Sequence, residues 1–158
     1  MTDNYIGIMI ESLRRKKDVL TDILKLSEEQ SLLLDDPNLE PDTFEKNVNR
    51  KAALIDKLEQ LDTGFESLYD KVKEELESNR DIHKEQIRQM QELIRALTEL
   101  NMQIQATEAR NKEKATAKFA YIRQQAKEIR SSQKIVKEYY NNMMHQAYNE
   151  PHFLDNKK

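Results

Sequence analysis

The chain has 158 residues, 35% of them charged and 37% hydrophobic, which is about one domain's length with apolar material for one modest core. Two glycines and three prolines are too few for the tight turns of a sheet, and without cysteine there is neither a disulfide nor a thiolate ligand. No apolar run approaches the ~20 residues that span a bilayer, and Met1-Thr2-Asp3-Asn4-Tyr5 lacks the basic-then-apolar layout of a signal peptide, so a cytoplasmic location is expected.

In chain order, Ile6, Ile10, Leu13, Leu20, Leu24 and Leu34 recur at alternating spacings of three and four, with Lys17, Ser27 and Ser31 as polar gaps. This spacing predicts a first helix over residues 3–34. Asp35-Asp36-Pro37-Asn38 stops it, and Pro41 suits the first position of the next helix, where its missing N–H would be unpaired anyway. Phe44, Val48, Ile55, Leu58, Leu61, Phe65, Leu68, Val72 and Leu76 form the second stripe, over residues 41–76, and its phase passes through Gly64 without a slip. A weaker break follows at Ser78-Asn79-Arg80-Asp81, where Asn79 is expected to cap a new start.

The third segment has no glycine or proline from Phe65 to Glu150, so nothing forces a turn. Ile87, Met90, Ile94, Leu97, Asn101 and Ile104 make its first stripe. Glu108 and Asn111 then take the seam positions within the polar run 105–114. A second stripe resumes at Ala115, Phe119, Ile122, Ala126, Ile129, Gln133, Val136, Tyr140, Met143 and Ala147, widened by Ile135, Tyr139, Met144 and Tyr148. At 1.5 Å per residue the helices would span roughly 48, 54 and 100 Å. The third overshoots its partners. The expected fold is therefore all-α: an antiparallel long-helix bundle of three helices over residues 3–34, 41–76 and 80–113. The third helix would extend as an amphipathic arm over 114–148, with a tail over 149–158.

Charge marks the same boundary. Residues 114–158 hold nine Lys or Arg against four acids, a net +5, so the preceding 113 residues carry −8 to reach the total of −3. An acidic body with a basic, aromatic-rich arm suggests one binding element.

Chemistry is sparsely provided. His83, His145 and His152 sit in no Glu-x-x-His pair, two glycines cannot build a phosphate loop, and a slender bundle has little room for a pocket. No catalysis, metal or cofactor is expected. A net +5 spread along a helix of ~50 Å is weak for nucleic acid, and no membrane insertion is expected. The arm itself reads two ways. Its stripe could be ordinary core, covered by folding back or by a second copy. Or it could close on helices of a client, for which Tyr139, Tyr140, Met143 and Met144 supply adaptable contact area. With no glycine or proline to reverse the chain, the expectation is a helix continuing through Arg110. Its arm would pack on a neighbouring molecule as a weak homo-oligomer through Phe119, Ile122, Ile129 and Val136.

Residues 13–23 with Lys16-Lys17, Lys51-Ala52-Ala53-Leu54-Ile55-Asp56-Lys57-Leu58, Leu61-Asp62-Thr63-Gly64-Phe65, Ile104-Gln105 with Glu108 and Asn111-Lys112, and the terminal Phe153-Leu154-Asp155-Asn156-Lys157-Lys158 carry a family likeness. Over nearly its whole length the chain resembles the FlgN-type flagellar export chaperones. The resemblance implies a cytoplasmic chaperone that binds hook-filament junction proteins, prevents their premature assembly and presents them to the type III export gate. It also implies that the C-terminal helix takes up the client, through Phe119, Ile122, Ile129, Val136, Tyr140 and Met143. The competing class is a self-associating coiled-coil scaffold, which would use the arm to pair with copies of itself.

Overall fold

The computed structural model describes residues 2–128 and 141–143. Three helices account for nearly all of them: α1 (Thr2–Asp35), α2 (Pro41–Ser78) and α3 (Lys84–Glu128). There is no strand among the described residues. The fold is the expected all-α helical bundle, with two corrections of detail. On α1 the buried seam past Leu13 runs through Leu20, Ile23, Ser27, Gln30 and Leu34, so Lys17 is exposed and Gln30, not Ser31, is fully covered. Asn79 does not cap α3: its carbonyl accepts from the N–H groups of Ile82 and His83, closing a turn, and the helix begins at Lys84.

The helix ends follow from local chemistry. The N–H of Asn38 donates to the Asp36 carboxylate at 2.8 Å, a side-chain turn that takes the chain out of α1. Pro41 opens α2, and the Glu40 carbonyl accepts its first helical bond, from Phe44. Gly64 lies inside α2 with no left-handed φ, as the unbroken stripe phase requires.

The chain divides into two compact units, each made of segments from all three helices. Unit 1 comprises Met1–Ile23 and Leu54–Met102. In it α1 and α2 run antiparallel: the Lys16 ammonium lies 2.6 Å from the Asp62 carboxylate, and Lys71 sits over the Tyr5 ring at 5.3 Å. Its core is Ile6, Met9, Leu13, Ile55, Val72 and Leu97, among others.

Unit 2 comprises Leu24–Ala53 and Gln103–Lys158, and a buried polar layer crosses it. The Lys51 ammonium, with no exposed surface, donates to Glu108 at 2.5 Å and to Gln30 Oε1 at 3.2 Å. Glu108 also accepts from the Ser27 hydroxyl at 2.6 Å. Asn111 Nδ2 donates to the Ser27 carbonyl at 2.8 Å and to Gln30 Oε1 at 3.2 Å, and Asn47 Nδ2 donates to the Leu26 carbonyl at 2.9 Å. The ion pair thus ties α2 to α3, and the amides tie both to α1. Gln30 Nε2, Asn47 Oδ1 and Asn111 Oδ1 have no partner among the described residues, each a cost of roughly 1–3 kcal/mol when dry. The layer limits stability while imposing one register, since a one-turn slip would strand both buried charges.

Two predictions follow from this packing. Glu108→Ala should destabilise the fold by about 3–5 kcal/mol, because it leaves the Lys51 charge buried without its counterion. Lys51→Met combined with Glu108→Met should recover most of that loss, which urea unfolding of Glu108→Ala and of the double variant would measure. A β-carbon at Gly64 would meet nothing within 4 Å, so Gly64→Ala should raise stability by about 1 kcal/mol in the same assay.

Candidate functional site

The candidate residues belong to the C-terminal part of unit 2. Next to the polar layer, Leu34, Leu39, Phe44 and Val48 form an apolar cluster with Ala115, Phe119, Ile122 and Met143, and Leu33 packs against it. Helical spacing on α3 brings Ala115, Phe119 and Ile122 onto one face, while Tyr121, on the other, is 65% exposed. Phe119 and Met143 are each only 1% exposed. Around the cluster the lysines of α3 meet the C-terminal end of α1. Lys114 donates to Ser31 at 2.7 Å and pairs with Asp35 at 2.8 Å, and Lys118 donates to the Asp36 carbonyl at 2.7 Å. Cations there complement the negative end of the α1 dipole.

Three of the eight candidate residues, Phe119, Ile122 and Met143, are therefore brought together in one cluster. The other five, Ile129, Val136, Tyr139, Tyr140 and Met144, lie outside the described residues. α3 does continue unbroken past Arg110, but the expectation that its apolar face has no partner in the chain beyond that point is overturned. The reason is register. Hydrogen-bonded partners on or just after α1 and on α3 lie 81 to 84 residues apart, at Ser27 with Glu108 and Asn111, Ser31 with Lys114, and Asp36 with Lys118. The last turn of α1 consequently faces α3 near Phe119. A third helix starting at residue 80 instead of Lys84 puts the end of the bundle too early, and Leu39 in the connection adds cover that the helix stripes do not include. A boundary between residues 113 and 114 falls inside unit 2.

Sequence reasoning also left the polar layer unassembled. In the sequence Ser27 reads as a gap in one stripe and Glu108 with Asn111 as an interruption in another. The available signal was that polar residues hold seam positions on all three helices within one bundle layer, as Ser27, Lys51 and Glu108 do.

Among the described residues no group of three or more His, Cys, Asp or Glu is placed to hold a metal ion. No described helix is long and apolar enough to cross a membrane. The arrangement is that of a packing surface: apolar side chains framed by amides, lysines and carboxylates.

A family model described as FlgN protein matches residues 1–146, which takes in all three helices and every candidate residue. No curated protein and no solved structure matches the chain. With more than nine-tenths of its length matched and the three-helix fold in place, the chain belongs to the FlgN family of flagellar export chaperones.

Proposed function

We propose that the chain is a cytoplasmic chaperone that binds hook-filament junction proteins, keeps them from assembling prematurely and delivers them to the flagellar type III export gate. The observation that carries this reading is the family match, which extends through the bundle into the C-terminal stretch as far as residue 146. Proteins that assemble through amphipathic helices expose apolar surface before assembly, and a partner that covers such a helix prevents aggregation.

Client uptake is assigned to residues 114–148, with the candidates in two roles. Phe119, Ile122 and Met143 already have cover from Leu34, Leu39, Phe44 and Val48, so a client reaches them only by displacing that cover. First contact is assigned to the remaining candidates, Ile129, Val136, Tyr139, Tyr140 and Met144, on the strength of their stripe in the sequence. Burying five such side chains is worth a gross of about 8–15 kcal/mol at roughly 1.5–3 each. Association and ordering costs of several kcal/mol cancel the lower part of that range, and its upper part leaves micromolar to nanomolar binding, suited to a client that must be handed over.

The two roles separate in a binding and melting experiment with a purified junction protein. Tyr140→Asp should weaken the complex by more than about tenfold, or 1.4 kcal/mol, with the melting temperature nearly unchanged. Phe119→Ala should destabilise the free protein by about 3–5 kcal/mol, as expected of a fully packed aromatic side chain. A Tyr140→Asp variant that binds as wild type refutes the assignment of the client surface. A chain that binds no junction protein at all refutes the client class, and concentration-dependent self-association by light scattering would then favour the scaffold reading.

A further inference from the structure

Unit 1 has a surface that the client reading does not use and on which it does not depend. α2 is buried at Leu58 and again at Val72, yet none of residues 59–71 between them is buried. The stripe residues of that stretch, Leu61, Phe65 and Leu68, are only half-covered, and Tyr69 is 40% exposed. Phe65 and Tyr69 stack in parallel with centroids 6.5 Å apart and form one wall of an open cleft of about 470 Å³. Met9, Met90 and Ile94 line its other sides, and Ile94 is itself 46% exposed. A second cleft of about 320 Å³ flanks the same ridge of α2 at Leu61 and Leu68, against Ile8 of α1. A half-buried ridge of aromatic and leucine side chains between two clefts has the composition of a protein-binding hot spot.

Charge says which occupant fits. Within unit 1, the α1 segment 2–23 has four basic and four acidic residues, and residues 79–102 also have four of each. The α2 segment 54–78 has three lysines against eight acids, so the unit's entire net charge of −5 sits on the helix that carries the ridge. Glu66, Asp70, Glu74 and Glu77 are all exposed around it. A second copy docking by the same face would set two such acidic segments against each other, which like-charge repulsion disfavours. We infer that the α2 ridge of unit 1, centred on Phe65 and Tyr69, is a docking surface for a basic amphipathic helix of a partner protein. The partner's apolar stripe seats in the clefts and its lysines or arginines face the α2 carboxylates.

The test uses the full chain and two synthetic helices of about 18 residues, one of leucine stripe with lysine flanks and one of the same stripe with glutamate flanks. Each peptide carries a single tryptophan as reporter, and the chain itself has none. The lysine peptide should bind at least about tenfold more tightly than the glutamate peptide. Tyr69→Ala, and separately Glu66→Lys with Glu77→Lys, should each weaken that binding by about fivefold or more with unchanged melting temperatures. Equal binding of the two peptides overturns the proposal. So does lysine-peptide binding that Tyr69→Ala leaves intact, which would mean diffuse charge attraction or a seat elsewhere. A dimer in light scattering that Tyr69→Ala dissolves would assign the ridge to a second copy instead.

Discussion

The buried pair of Lys51 and Glu108 is the constraint on which unit 2 depends. Two full charges have been removed from water between helices, where desolvation costs several kcal/mol per ion and is repaid only in good geometry. The repayment comes from Ser27, Gln30 and the pair itself, and Asn111 extends the same hydrogen-bonded layer. An apolar seam alone would tolerate a slip by a turn, because leucine can replace leucine. Here a slip would leave an ammonium and a carboxylate in apolar surroundings without partners. The layer therefore decides which residues of α3 meet the end of α1, and through that register it decides that Phe119 and Ile122 are core.

The same layer explains why some of the fold was legible in the sequence and some was not. Leucine and isoleucine at three-and-four spacing, Pro41 at the start of α2 and the scarcity of glycine were enough for three long helices, because each of these acts locally. Register between helices is not local. Glu108 and Asn111 looked like a place where a stripe fails, since nothing in α3 alone shows that Ser27, Gln30 and Lys51 wait opposite them. Read from the sequence, the bundle consequently ends near Arg110, about three turns short of Ile122. The start of α3 was misplaced for a related reason: the Asn79 carbonyl closes a turn with Ile82 and His83, and a side-chain capping preference does not reveal that use of the backbone.

Membership of the FlgN family rests on a match over residues 1–146, and the molecule gives that membership physical content. Several of the residues behind the family likeness, Lys51, Glu108 and Asn111 among them, are buried members of the polar layer. Their role is architectural. Half-covered side chains are found instead on the acidic stretch of α2 in unit 1, where Phe65 and Tyr69 line an open cleft. An incompletely covered aromatic ridge leaves apolar contact area open without unfolding the helix that carries it.

Native-state hydrogen exchange along α3 tests the central claim, that residues 108–122 are an integral part of a three-helix core. If the register set by Lys51 and Glu108 is right, amides from Glu108 through Ile122 exchange as slowly as those of Ile104, through the opening of unit 2 as a whole. Protection that falls away beyond Arg110, with Phe119 and Ile122 exchanging like a free helix in water, would contradict it.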